Sequence, residues 1–357
     1  MADRPMKYEE LVQQLGAPSL EGLQPVARQQ QDLIVSAVGR GGDEPPQLDL
    51  EPIRIDDEVI GWQITTGDVE VGIRARAVEK PAMHRDRIVE IPGRVPEGQR
   101  PLARPIAGEP QPVRTLRRRS GRRVRPEYIF GADDRQTYFP LGYPWQCVGI
   151  LWVRPLPTTA PGWLVRGTAA LIGSRTIVTA AHMIQWLIWD LLDEAPRIRF
   201  TPAVFNGTSV VGLTSLVSHV VWNADHEQGD DVTAMRLVQP LGDKLGSFGV
   251  MTYDDDWEDE PYWTRCGYAA SFGSVPERQT WFAIQDDDSD GDGWELEYEA
   301  DTSGGDSGGP VFGWWDGVPC IIGVHSGGEE EAFDTNNVAA GGPFLTNMVQ
   351  WAWDHWE

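Results

Sequence analysis

Gly305-Asp306-Ser307-Gly308-Gly309-Pro310 leaves the chain few ways to fold. Three glycines and a proline in six residues dictate a tight loop, since glycine accepts positive φ freely and proline fixes its own. A tight loop with small neighbours aims the amides of Gly305 and Ser307 at one point. A serine hydroxyl there is a weak nucleophile until a base takes its proton. Gly-rich turns of this kind alone are common, so the reading depends on what else the chain supplies.

Upstream lies Thr179-Ala180-Ala181-His182, which ends an apolar strand. Histidine exchanges protons near neutral pH, and the two alanines let another segment pack close to the ring. Between them, Asp231-Val232-Thr233-Ala234-Met235-Arg236-Leu237 places a carboxylate at the mouth of a strand, suited to hold one imidazole tautomer. Asp230 is the rival, and the register favours Asp231 with Asp230 facing solvent. The order His, Asp, Ser is one of the known orders of a catalytic triad. It assigns His182 as base and acid, Asp231 as orienter, Ser307 as nucleophile, and the amides of Gly305 and Ser307 as oxyanion donors.

The chain of 357 residues has room for two or three cores. Its 39 glycines and 27 prolines punctuate short apolar runs and favour an all-β fold. Such runs include 147–153, 167–172, 176–180, 198–200, 204–205 and 248–252. Residues 6–39 read as two short helices, the first stopping at Gly16, and 51–92 alternate as strands do. Residues 92–112 read as extended. Arg114 to Arg125 holds seven arginines in twelve residues and reads as a linker or processing segment. The tail from Phe344 fits a closing helix with Leu345, Met348, Val349 and Ala352 on its packed side. Cys147, Cys266 and Cys320 fit neither a disulfide framework nor a zinc site and read as buried thiols.

The net charge of −24 is unevenly spread. Residues 126–357 hold 10 Lys+Arg against 35 Asp+Glu, whereas residues 1–125 hold 20 against 19. An acidic domain repels nucleic acid and anionic membrane, so neither is expected as a partner. No run of about 18 apolar residues exists to span a bilayer.

Further segments join the three motifs: Ile129-Phe130-Gly131-Ala132-Asp133-Asp134-Arg135, Tyr143-Pro144-Trp145, Gly167 to Gly173, Leu296 to Val311, and Ile322-Gly323-Val324-His325-Ser326-Gly327-Gly328. Through these, residues 129–357 resemble the chymotrypsin-like (trypsin-like) serine proteases, and are most similar to the bacterial glutamyl-endopeptidase (V8-like) branch. The resemblance implies two antiparallel six-stranded β-barrels, at about 143–240 and 248–343, with a C-terminal helix at about 344–356. A smaller α+β region at 1–113 and the Arg-rich segment 114–128 precede them. It implies protein or peptide substrates, and no cofactor for the chemistry.

The resemblance also implies an S1 site at Thr302, His325, Ser326 and Gly328, with Thr302 and His325 binding a P1 carboxylate. Asp301 beside Thr302 keeps a basic P1 preference open, and a small one is a further alternative. Asp306 before Ser307 implies activation by cleavage near Ile129, with residues 1–128 as a pro-region. Arg166 and Met183 stand where related enzymes carry a disulfide. A catalytically silent binding or adaptor module is the alternative from another class. Localisation is conflicted: the opening residues lack a signal-peptide pattern, while the resemblance implies secretion.

Asp286-Asp287-Asp288-Ser289-Asp290-Gly291-Asp292-Gly293-Trp294-Glu295-Leu296-Glu297 fits a calcium-loop pattern, with Asp286, Asp288, Asp290 and Glu297 as ligands. The pattern also fits from Asp288 to Glu299, and its flanks alternate as strands. A solvated hairpin tip is therefore the competing reading, and calcium is the one metal the sequence leaves open.

Overall fold

The computed structural model describes residues 3–16, 50–55, 58–64, 76–79, 90–108, 128–154, 165–184, 197–222, 228–330 and 335–357. The chain is mostly β. Six strands close into a barrel, in the order Arg197–Pro202, Val148–Arg154, Val165–Leu171, Thr176–Thr179, Thr233–Leu237, Ser215–Trp222, and back to Arg197–Pro202. All pairs around this ring are antiparallel. Val148, Ile150, Ala170, Val178, Val220 and Ala234 are buried in its core. Small and β-branched side chains suit a pleated surface packed at interior density.

The second half supplies eight strands to a second sheet, which three short upstream strands, Glu90–Ile91, Ile106–Ala107 and Gln136–Phe139, extend to eleven. Its centre runs Gly293–Tyr298, Thr335–Gly341, Val318–Glu330, Pro310–Trp315, Trp263–Gly267, Glu277–Phe282. An aromatic cluster fills one side, where Trp257 meets Trp315 at 5.3 Å and Trp263 at 6.1 Å between ring centroids. Closure by the helix Gly342–Trp356 agrees with expectation, with Leu345, Met348, Val349 and Ala352 all buried. The next residue, Glu357, accepts from the amides of Ser174 and Arg175 at 2.7 and 2.9 Å, which pins the helix end to the first barrel.

The segment expected as a separate N-terminal region is threaded into both sheets. Arg76–Glu79 lies parallel to His219–Trp222 on the barrel edge. Glu90–Ile91 pairs with Val250–Met251, and Ile106–Ala107 with Tyr138–Phe139. The helix Tyr8–Leu15 ends at Gly16 as expected and buries Leu11. Met6 N donates to Trp314 O at 2.7 Å, and the Tyr8 ring sits edge-on to Trp281 at 5.0 Å. The expected second helix and the Arg-rich segment lie outside the described residues. So does the alternating run 65–75, while Leu50–Ile55 and Glu58–Ile64 form a hairpin. The three cysteines are buried and form no disulfide with one another, and burial pushes the Cys266 and Cys320 thiols up to about 12. Among the described residues no helix is long and apolar enough to cross a membrane.

Candidate active site

The strand Thr176–Thr179 delivers His182, which directly follows Ala180 and Ala181, both buried. His182 Nδ1 is 2.6 Å from Asp231 Oδ2, and the His182 amide donates to Asp231 Oδ1 at 2.7 Å. Ala181 N donates to Asp231 O at 3.1 Å, so backbone and side chain together fix the pair. The Asp231 side chain is 0% exposed and that of His182 29%. A buried carboxylate held to Nδ1 sets the tautomer and leaves Nε2 for chemistry.

Asp230 is not solvent-facing as expected. It is 1% exposed, and its Oδ1 accepts from Asp292 N at 2.9 Å. The tip of the acidic hairpin folds over this loop, and Asp290 Oδ2 accepts from Gln228 N at 2.6 Å. The two acids thus tie the hairpin to the loop that carries Asp231.

Ser307 is 8% exposed, and its carbonyl accepts from Thr168 N at 2.8 Å across the two halves. Thr168 Oγ1 donates to Gly305 O at 2.9 Å and accepts from Tyr268 N at 2.9 Å. The close approach explains Gly308, at φ +84°, where a Cβ would lie 2.1 Å from Thr168 O. Gly305, at φ +109°, would meet Tyr268 O at 2.7 Å. The amides of Gly305 and Ser307 donate to no group among the described residues, as oxyanion donors must.

Behind the loop lies a buried ionic cluster that sequence reasoning missed. Asp306 Oδ2 is 2.8 Å from Arg265 and 3.3 Å from Arg135, and accepts from Ser303 N at 3.0 Å. Arg265 also grips Glu277 with two bonds, at 2.5 and 3.1 Å. Burial, the largest single effect, would raise the Asp306 carboxyl, but the Arg265 charge, a hydrogen bond with Glu277 and the Arg135 charge together outweigh it and hold the group below its usual range. The available signal was Arg265 inside Trp263-Thr264-Arg265-Cys266-Gly267, since an arginine in a fully buried strand needs a partner.

The expected S1 residues divide. Ser326 is buried and its hydroxyl donates to Asp231 Oδ2 at 2.5 Å, so it serves the carboxylate instead. Gly328 lies in the strand register opposite Asn337. Thr302 and His325 are 0% and 1% exposed, and Thr302 Oγ1 and His325 Nε2 are buried without hydrogen-bond partners. His325 Nδ1 is 2.7 Å from Tyr298 OH. Burial, then the Arg265 charge, pulls His325 down to about 3, so the ring is neutral. The backbone of His325 pairs with Gly308 and Gly309, which ties it to the nucleophile loop.

Asp301, held open for a basic P1 residue, is engaged elsewhere. Its Oδ1 accepts from Phe130 N at 2.7 Å and its Oδ2 from Asp134 N at 3.0 Å. Ile129 is 41% exposed, and the cations facing Asp306 are Arg265 and Arg135. The calcium-loop candidate folds as the hairpin Asp286–Asp290 and Gly293–Tyr298, with Asp286 opposite Glu297 and Asp288 opposite Glu295. Asp290 Oδ2 is taken by the amides of Gln228 and Gly229. Among the described residues no group of three or more His, Cys, Asp or Glu side chains is gathered as metal ligands.

A family model described as trypsin matches residues 162–342. Similar solved structures include a Glu endopeptidase in complex with MPD, at 16% identity and a TM-score of 0.48, covering 63% of this chain and 99% of that one. The protease Anisep from Arthrobacter nicotinovorans is also 16% identical, with a TM-score of 0.44, covering 61% of this chain and 98% of that one. No curated protein matches the chain.

Proposed function

We propose that this chain, which belongs to the trypsin family of serine proteases, hydrolyses peptide bonds on the carboxyl side of glutamate or aspartate. In this reading His182 Nε2 takes the Ser307 proton as Oγ attacks the scissile carbonyl. The oxyanion is met by the amides of Gly305 and Ser307. The C–N bond then breaks, and His182 passes the proton to the leaving amine. Water, deprotonated by His182, releases the acyl group and restores Ser307. Asp231, buried and hydrogen-bonded to Nδ1 at 2.6 Å, stabilises the imidazolium at each stage.

The acidic preference rests on one observation: His325 Nε2 and Thr302 Oγ1 are buried beside the nucleophile loop with no partner. Burying such groups unpaired costs about 1–3 kcal/mol each, which a ligand's acceptor offsets. Tyr298 OH lies 2.7 Å from Nδ1, and in the tautomer in which it donates there the neutral His325 carries its proton on Nε2 and can donate to a carboxylate. Asp301, its two oxygens occupied by backbone amides, offers no free charge to a lysine or arginine.

Cleavage-site profiling on a peptide library tests this, with Ser307→Ala as control. Cuts after Glu and Asp that vanish in the control are expected. Cuts after Arg, Lys or small residues would keep the nucleophile and discard the acidic site.

A further inference from the structure

We infer that Arg135 is a positioning residue for the nucleophile loop and that the chain works uncut, an inference resting on Ser307 as nucleophile. The usual reason to cut such a chain is to create an ammonium for the carboxylate before the serine. Here that carboxylate, Asp306, already faces two guanidinium groups, from Arg265 at 2.8 Å and Arg135 at 3.3 Å. Its second oxygen, Oδ1, is buried and unpartnered against Gly267, where a single added carbon would come within 2.4 Å. The Gly267 backbone thus covers the side of Oδ1 that it faces.

Two guanidinium groups already occupy the carboxylates of this cluster. Arg135 and Arg265 are each 1% exposed and are met by Asp306 and Glu277, at 1% and 0%. Asp133 at the rim holds Arg135 at 2.8 Å. An incoming ammonium would have to compete with these two guanidinium groups for the same carboxylates while being stripped of water. Arg135 also donates to Ser303 Oγ at 2.8 Å, and its guanidinium lies 4.9 Å from the Phe272 ring centroid. It thus touches the loop at Ser303 and Asp306, on both sides of Gly305.

The segment bearing Arg135 is clamped against the same loop. Tyr128 N donates to Asn337 Oδ1, and Tyr128 O accepts from Asn337 Nδ2 and Thr302 N, all at 3.0 Å. Asp301 then takes the amides of Phe130 and Asp134. An amine freed at Ile129 reaches Asp306 only by breaking those last two bonds and expelling a guanidinium. Residues 76–79, 90–91 and 106–107, farther upstream, are paired into the two sheets, so their removal would strip edges from both.

The full chain should be treated with an active-site phosphonate, which labels an activated serine whatever its P1 preference, and weighed intact. The expected result is an adduct on Ser307 in a chain that retains the residues upstream of Tyr128. Arg135→Met should lower both labelling rate and kcat about tenfold with KM within about twofold, and Arg135→Lys should recover most of the loss. Labelling only after a cut near Ile129 would overturn the inference while leaving Ser307 as nucleophile. Labelling in neither form would remove both. Folded Arg135→Met with parental kcat would overturn the positioning role, and melting curves of both variants identify a folding failure, in which case the Arg135→Lys rate decides.

Discussion

Ser326 Oγ lies 2.5 Å from Asp231 Oδ2, so a hydroxyl from the second sheet completes the carboxylate of the first barrel. Asp231 also receives the His182 amide and ring. The candidate site is therefore assembled only when the two halves dock. Hydrogen bonds to a buried charge are worth about 1.5–3 kcal/mol. Ser326→Ala should lower kcat roughly tenfold or more with little change in KM, and reduce the melting temperature. Steady-state kinetics check this, and an unchanged kcat would show that the bond does not serve His182.

His325 gives the fold a pH dependence of definite sign. Its pKa falls from the usual value near 6.5 to about 3 in the folded chain. Between these values the unfolded chain binds a proton that the folded chain refuses. Its contribution is complete above about pH 6.5 and is lost progressively as pH falls toward 3. The slope from one proton is at most about 1.4 kcal/mol per pH unit. Denaturant melts from pH 7 to 4 should show parent stability falling faster than that of His325→Gln, and parallel curves would contradict the assignment.

His325→Gln and Thr302→Val should act on specificity. A charge-assisted bond lost to each variant predicts kcat/KM for a Glu substrate reduced about ten- to hundredfold. The matching Ala substrate should change less than about threefold. Equal losses on both substrates would show a general packing defect.

Gly308 is predicted to admit no side chain. At φ +84°, with a Cβ placed 2.1 Å from Thr168 O and 2.1 Å from Thr179 Oγ1, alanine would push the loop off the barrel. Gly308→Ala should unfold the chain or abolish phosphonate labelling of Ser307, as judged by circular dichroism and intact mass. A stable, labelled variant would mean the loop packs differently.

The acidic hairpin should respond to ionic strength rather than to one calcium ion. Asp287 is pushed up to about 7 by partial burial and then by Asp255, Glu258, Asp286 and Asp288. Salt that screens these charges should therefore stabilise the fold modestly. Calcium at matched ionic strength should move the melting temperature by no more than about 1 °C beyond sodium. A saturable calcium transition would restore the loop reading.

The pairing of His182 with Asp231 at 2.6 Å was legible because each sits in a short local motif, as does the glycine-shaped loop around Ser307. The barrel strands were legible for the same reason, as apolar runs between turns. Ser326 was assigned to a pocket because its reach to Asp231 depends on how two sheets dock, which no local pattern encodes. Asp230 was misjudged because the Asp292 amide covers it from a loop 62 residues away. Residues 286–297 fit an ion loop by composition, and in the fold Asp286–Asp290 pairs with Gly293–Glu297 as a hairpin, which composition does not encode. The upstream strands were read as a separate region because strand addition at a sheet edge leaves no mark in sequence spacing.

The most direct measurement is trapping the acyl-enzyme. The full chain would be mixed with an activated ester of a peptide ending in glutamate, quenched in acid, digested and sequenced by mass spectrometry. The account predicts the glutamyl acyl group on Ser307, with none in Ser307→Ala. Turnover of the ester with no acyl group on Ser307, or at an equal rate in the alanine variant, would contradict it.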